Sequence, residues 1–561
     1  MIRMKLLAAR VGVLGVVLGV VSGGLAGCGG SSSSGGAVTP PVVTPPATTP
    51  DMGTAAAMLD GVEYTITNVS SGAVLGIAGQ SQTAGAALNL AASDAGPDQL
   101  WHVMPMGGTQ YNVENMLTHQ VMGVASASTA TGAVSVQWAD NGTPDHLWTF
   151  FQLTDGNFLI QNGNSKLYLE DQASSTAPTA VVAQNARATT GTGCTCQEWK
   201  VVANSTSPYP APATVTGNGI FVHDPYMLKD ASGTYWLYGT HQTLAYSTDM
   251  KTFTYTNTNT PMGACTATEG GAWITAANRC PIIGPDFASW TGLQTPKSDN
   301  GGLNTDVWAP SLMFENGMYY QYYSVPYEPS TGAEAVIGLA TSANPWGPWT
   351  DKGYVVSSWT NATTAPPTGN ANGWNFSTTT TWNAIDPAPF VDATGKWWMS
   401  FGSWSDGIHL MQLDPATGMP LASNPTPYPV IAARGSSGEE GSFIYPWMVN
   451  GTQYYYYFAP INVCCAGTAS TYRMIVGRAT SPTGPYLDRG GLDLRNGGGT
   501  ILMSSHGNIY GPGGQSVFTD MVNGVATPTL VYHYYDGANN GTPTVGINRL
   551  GFTPDGWPVV Q

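Results

Sequence analysis

Two hydrophobic patterns divide the chain. From about residue 61, apolar and polar positions alternate in short runs: Tyr64-Thr-Ile-Thr-Asn68, Tyr111-Asn-Val-Glu-Asn115 and Phe158-Leu-Ile-Gln-Asn162. That period of two predicts strands with one buried face. Each run opens a segment that closes on tryptophan, in Gln99-Leu-Trp101, His146-Leu-Trp148 and Gln197-Glu-Trp199, and the tryptophans are 47 and 51 residues apart. No segment is long enough to bury a core alone, so the three should pack about a pseudo-threefold axis with the tryptophans in the shared core. This module is expected over residues 61–203.

From about residue 213 to 561 the pattern changes to aromatic strands. Five stand out: Thr234-Tyr-Trp-Leu-Tyr-Gly239, Met318-Tyr-Tyr-Gln-Tyr-Tyr-Ser324, Lys396-Trp-Trp-Met-Ser-Phe-Gly402, Gln453-Tyr-Tyr-Tyr-Tyr-Phe458 and Thr529-Leu-Val-Tyr-His-Tyr-Tyr535. A second element follows some of them. Gly338-Leu-Ala-Thr-Ser is trailed by Gly347-Pro-Trp-Thr-Asp-Lys-Gly353, and Gly477-Arg-Ala-Thr-Ser by Gly484-Pro-Tyr-Leu-Asp-Arg-Gly490. A recurring four-stranded unit with one aromatic inner strand predicts a β-propeller, here of five blades. A pair of sandwiches would show shorter repeats. The expected fold class is therefore all-β.

Composition agrees: abundant Gly (70) and Pro (40) favour turns, while sparse helix formers and common Trp, Tyr, Thr and Val favour strands. A net charge of −16 argues against nucleic acid and acidic membrane surfaces as partners. With only 9% charged residues and many aromatic and amide groups, the chain suits a neutral ring-shaped ligand such as a sugar.

Arg3, Lys5 and Arg10 precede an uncharged, mostly apolar run over 11–27 that ends in Leu25-Ala26-Gly27-Cys28. This pattern reads as a lipoprotein signal over residues 1–28, with Cys28 acylated. The expected location is the bacterial cell envelope or surface through that lipid anchor, or otherwise secretion. Residues 29–60, rich in Ser, Gly, Pro and Thr, read as a flexible tether. Export permits disulfides. Cys265–Cys280 is the favoured bridge, while Cys194 and Cys196 lie close together and Cys464 and Cys465 are adjacent. No histidine stands at zinc-ligand spacing from them.

Three acidic stretches sit just ahead of aromatic strands: Val222-His-Asp224-Pro-Tyr226, Asn383-Ala-Ile-Asp386-Pro387 and Glu439-Glu440-Gly441-Ser442. A propeller gathers its strand starts around one funnel, so carboxylates 162 and 54 residues apart can meet there. Adjacent strand residues face opposite ways, so only one of Glu439 and Glu440 can enter that funnel.

These stretches, with Val307-Trp308-Ala309-Pro310, resemble glycoside hydrolase family 43. Cys464-Cys465-Ala-Gly467, Ser470-Thr-Tyr472, Val476-Gly-Arg478, Gly497-Gly-Gly-Thr500, Tyr510-Gly-Pro-Gly513 and Gly556-Trp-Pro558 resemble its endo-α-1,5-L-arabinanases. The resemblance implies an inverting hydrolase of arabinan or another plant cell-wall polysaccharide. Asp224 would be the general base, Glu440 the general acid, and Asp386 the group that orients the acid and keeps it protonated. His223, Tyr226, Trp308 and Asn383 would line the cleft, with Trp308 a candidate stacking platform and Asp306 a turn cap. Inversion needs the acid and base about 6.5–9.5 Å apart, to admit a water. Many arabinanases read Gly-Pro-Gly-His, with the histidine near an axial calcium or water site, where this chain has Gly513-Gly514. His506, eight residues before Gly514, is the candidate substitute at a structural calcium. The chemistry itself requires no cofactor.

The Gln-x-Trp closures resemble the ricin-type β-trefoil lectins. The position of that family's ligand Asp is taken by Gly76, Gly123 and Glu170, so only the third repeat keeps a carboxylate, with Asp171 beside it. A monomer is the expected state. Two alternatives stay open: an exo-acting α-L-arabinofuranosidase or β-xylosidase on the same fold, and a non-catalytic carbohydrate-binding lipoprotein.

Overall fold

The computed structural model describes residues 50–172, 180–187, 193–255, 307–326, 335–347, 349–358, 381–425 and 428–561. Cys28, most of the tether, the Cys265–Cys280 pair and Asp306 lie outside the described residues. Among the described residues, regular structure is strand and short 3-10 turn only, and no helix is long and apolar enough to cross a membrane.

The first module closes thirteen strands into one sheet. Its threefold character appears in its tryptophans: Trp101, Trp148 and Trp199 are fully buried in one core with Ile66, Leu75, Met122, Phe150 and Leu169. Each indole N–H donates to the backbone oxygen at one equivalent position per repeat, Leu75 (3.0 Å), Met122 (2.8 Å) and Leu169 (3.0 Å). A buried indole needs such an acceptor, so each repeat supplies both the apolar mass and the polar partner. A β-trefoil is the result. Cys194 and Cys196 form a disulfide at the edge of its third repeat.

The second module is five four-stranded antiparallel sheets, each contiguous in sequence. The five aromatic runs form the second strand of each blade: Tyr235–Gly239, Met318–Pro326, Trp397–Phe401, Thr452–Ile461 and Val525–Asp536. They are buried because a second strand is flanked by two others and covered by the next blade. The repeated Ala-Thr-Ser elements lie at the ends of the third strands Ala335–Ser342 and Arg473–Ala479. Blade 5 meets blade 1 through side chains: Lys229 and Tyr235 bond Asp520 at 3.2 and 3.1 Å, and Val531, Val545 and Ile547 join the apolar cluster of blade 1. The five-bladed propeller thus closes without a shared sheet.

Candidate active site

Just ahead of, or at a bulge within, each blade's first strand, a residue facing the axis has left-handed backbone. These are Asp224 (φ 50°), Ala309 (44°), Asp386 (57°), Gly441 (55°) and Gly514 (55°). Residues 224–226, 309–311, 386–388, 441–443 and 514–516 line one axial cavity, three from each blade. Left-handed backbone is costly for a residue with a side chain, and such strain concentrates where geometry serves function. Asp224 and Asp386 are therefore strict equivalents. Glu440 is offset by one: it precedes Gly441 and shares its blade position with His223, Trp308, Ile385 and Gly513. In sequence all three carboxylates stand at about the same position ahead of an aromatic strand. The offset arises because glycine takes the left-handed place in blade 4.

Asp224 is surrounded by donors. His223 Nδ1 lies 2.8 Å from Oδ2, and the Thr240 hydroxyl donates to the same oxygen at 2.5 Å. His533 Nδ1 lies 3.7 Å from Oδ1 and accepts the Asp224 backbone N–H at 3.1 Å. Burial alone would raise this carboxyl, but His223, with the Thr240 hydroxyl, holds it well below the usual carboxylate range. His533 is itself pushed well below the ordinary imidazole range by burial and by His223, so it acts here as a neutral acceptor. His223 stacks on His533, with centroids 3.8 Å apart. Its Nε2 meets the Tyr535 hydroxyl at 2.8 Å, and that hydroxyl accepts the Cys465 backbone N–H at 2.7 Å. Cys464 and Cys465 are joined as a vicinal disulfide, placing that turn beside His223.

Glu440 has the opposite environment. Burial, with the charge of Asp224, pushes it up to about 7 against the hydrogen bond from Ser403 (2.7 Å to Oε2). Tyr472 donates to its Oε1. Asp386 is also raised, by burial and then by Glu440 and Asp224, so the Asp386–Glu440 pair resists carrying two charges. The Gly441 N–H donates to Asp386 Oδ2 at 2.9 Å and ties blade 4 to blade 3. Glu439 and Glu440 lie ahead of the strand Phe443–Val449, with Glu439 in an isolated bridge to Ile461; Glu439 faces away, accepting from Tyr457 at 2.6 Å with Arg434 at 3.8 Å. One carboxylate held ionised and one carboxyl held protonated in a common cleft form the pair that acid–base chemistry needs.

Tyr226 lines the cavity between Tyr238 and Phe443. Trp308 opens the first strand of blade 2 opposite Ser324. Asn383 lies three residues before Asp386, its side-chain oxygen buried and unpartnered among the described residues. His506 is elsewhere: it is buried on Tyr209, with ring centroids 5.3 Å apart, and its Nδ1 meets the Ser504 carbonyl at 2.8 Å. It stands at the trefoil side, which corrects its candidacy for the axis. The axial histidine is His533, from the second strand of blade 5. Sequence reasoning missed it, although it interrupts an otherwise aromatic run. Tyr472, Ser403, Thr240 and Tyr535 were also unassigned. Among the described residues, the grouped ligands near the axis are His223, Asp224 and His533, or His223 with the two cysteines. Calcium prefers six to eight oxygen donors, so these nitrogen-rich and sulfur-rich sets do not fit it.

The profile of glycosyl hydrolases family 43 matches residues 284–558, and that of the ricin-type beta-trefoil lectin domain-like family matches 56–138 and 97–185. The extracellular endo-alpha-(1->5)-L-arabinanase 1 of Bacillus subtilis is 35% identical over 63% of this chain and 92% of its own length. The arabinan endo-1,5-alpha-L-arabinosidase A of Aspergillus niger is 30% identical over 60% and 90%. A solved GH43 endo-arabinanase from Bacillus licheniformis aligns with a TM-score of 0.46 and 30% identity, over 62% of this chain and 99% of that one. With relatives 30–35% identical and covered over 90% or more of their own length, the chain belongs to glycosyl hydrolases family 43 and is a glycosidase.

Proposed function

We propose that the protein is an inverting endo-acting hydrolase of α-1,5-linked L-arabinan. Asp224 deprotonates the attacking water. Glu440 protonates the leaving glycosidic oxygen. Asp386 orients Glu440 through Gly441 and disfavours its ionisation. The observation that carries this reading is the opposed state of two half-buried carboxyl groups: Asp224 is held ionised by His223 and the Thr240 hydroxyl, while Glu440 keeps its proton up to about pH 7. The substrate rests on relatives named as endo-arabinanases. Tyr226, Trp308, Asn383 and His223 serve as the sugar-contacting wall. The mechanism uses no cofactor.

Export through the segment ending at Cys28, with acylation there, places the enzyme outside the cytoplasm, consistent with a relative named extracellular. The trefoil holds polymer near the cleft through its third repeat, adding by effective concentration. Product analysis on linear arabinan tests the reading. The parent should release a ladder of short oligosaccharides of inverted anomeric configuration, and Glu440→Ala and Asp224→Ala should not. Monosaccharide alone would establish exo action, and no release from arabinan or xylan would leave a binding protein.

A further inference from the structure

The trefoil and the propeller meet over a buried carboxylate, Asp140. Asp140 lies in the trefoil ahead of Trp148 and is 2% exposed. Its Oδ2 is 2.7 Å from Nη2 of Arg473, a propeller residue that is 1% exposed. The same Nη2 donates to Oδ1 of trefoil Asn112 at 2.7 Å. A second propeller arginine, Arg434, donates from Nη1 to the backbone oxygen of Asp140. Burial opposes ionisation of Asp140, but Arg473, His146 and Arg434 outweigh it. Apolar packing seals the seam: Met104 and Val121 of the trefoil share one cluster with Phe458, Met474 and Met503 of the propeller.

Both arginines lead to the acid. Arg473 directly follows Tyr472, whose hydroxyl donates to Glu440. Arg434 faces Glu439, at 3.8 Å, and Glu439 directly precedes Glu440. We infer that Asp140 is a positioning residue for catalysis: by anchoring Arg473 and Arg434 it fixes the two backbone segments that carry Tyr472 and Glu440. The trefoil is then part of the catalytic unit and not only a tethered binding module. This rests on the reading of Glu440 as the acid. The physical basis is that a buried guanidinium without its carboxylate is uncompensated and moves toward water. Arg473 would carry the start of its strand, and Tyr472, with it.

The test uses the full chain with Asp140→Asn, Tyr472→Phe and both together, assayed on linear arabinan well below the Tm. Asp140→Asn should lower kcat by about tenfold or more with KM within about twofold, the signature of a lost transition-state interaction. The double variant should be no worse than Tyr472→Phe, because the two act through one contact. Additive losses, or an Asp140→Asn kcat within about twofold of the parent, would overturn the inference. Should Asp140→Asn fold poorly, Asp140→Asn with Arg473→Met removes the uncompensated charge. That pair should fold and still lack most of the kcat, and full activity in it would overturn the inference. A second readout needs no substrate. Carbon-13 NMR of the Glu440 carboxyl, assigned by its loss in Glu440→Gln, should titrate higher in Asp140→Asn because the Tyr472 hydrogen bond to the carboxylate is loosened. The other groups facing Glu440, namely Asp224, Asp386, His223, Ser403 and Trp404, are unchanged in that variant. An unchanged midpoint would count against the inference. A shifted midpoint in an enzyme inactive on arabinan would sink the substrate reading and leave the positioning role standing.

Discussion

The Gly441 N–H donates to Oδ2 of Asp386 at 2.9 Å, so the residue after the proposed acid is held by the carboxylate proposed to govern it. Asp386→Asn keeps an acceptor for that N–H but removes an ionisable neighbour of Glu440. The pair then titrates as one group, and Glu440 loses its proton more easily. The expected result is a kcat about a hundredfold lower, in the range for acid–base groups. The basic limb of the pH profile should also move to lower pH. A pH–rate profile checks both, and an upward or unchanged basic limb would contradict the pairing.

The pH profile of the parent follows from the two shifts. Glu440 must be protonated, and with its carboxyl near 7 activity should be retained below neutrality and fall as pH rises through about 7. Asp224 must be ionised, and it is held below the ordinary carboxylate range, so the acid limb should lie lower than an unperturbed aspartate would give. His223→Ala removes the leading favourable partner of the Asp224 carboxylate. Its acid limb should rise toward the ordinary range, with the basic limb much less affected. Measuring kcat/KM from pH 3 to 9 separates the limbs, and movement of the basic limb alone would refute the assignment of His223.

Glu439 and Glu440 are adjacent acids with opposite surroundings. Glu439 is buried against Tyr457 and Arg434, while Glu440 faces Asp224 and Tyr472. Glu439→Gln should therefore lower the Tm, at a cost of about 2 kcal/mol for a disturbed buried charge-assisted contact. Glu440→Gln should leave the Tm close to the parent and abolish turnover. Thermal melts beside initial rates distinguish the two, and a reversed pattern would exchange their roles.

Much of this architecture follows from pattern. The repeated tryptophans point to the trefoil because each buries the same mass against the same backbone acceptor. The aromatic runs point to five blades because a second strand is covered on every side. Asp224 and Asp386 announce themselves through a shared Asp-Pro step. The offset of Glu440 is not visible in that way, because Gly441 replaces an Asp-Pro step by backbone geometry alone. His533 sits among Tyr532, Tyr534 and Tyr535 in its strand, so its direction emerges only when blade 5 closes on blade 1. Asp140 and Arg473 are 333 residues apart in different modules and belong to no repeat, so nothing periodic links them. His506 packs on Tyr209 and not at the axis, because distance along the chain to Gly514 is no guide to which face of the propeller a loop reaches.

In the trefoil, Glu170 accepts from Asn185 at 2.9 Å and from Gln197 at 2.7 Å. The matching place in the second repeat is closed, because a Cβ on Gly123 would meet the His146 ring at 2.5 Å. Sugar binding by this module should therefore depend on the third repeat. Glu170→Ala should weaken retention on polysaccharide in affinity electrophoresis while hydrolysis of short soluble oligosaccharides stays near the parent rate. Equal retention would remove the third repeat as the binding place.

Gly514 tests how tightly the base is confined. Its backbone is left-handed at φ 55°, and a Cβ there would lie 2.5 Å from Asp224 Oδ1 and 2.7 Å from His533 Nδ1. Neither neighbour can yield freely: Asp224 is held by His223 and Thr240, and His533 is fully buried. Gly514→Ala therefore adds one methyl group at a strained position and pushes on the proposed base. A shift of the base by a fraction of an ångström spoils the alignment with water on which an effective near-attack geometry depends. The expected outcome is a kcat at least about tenfold lower, with a smaller change in KM and a modest loss of stability from the strained backbone. Steady-state kinetics with a thermal melt would check this. A variant that keeps the parent kcat would mean that Asp224 has room to move and that its ring of donors does not set its position.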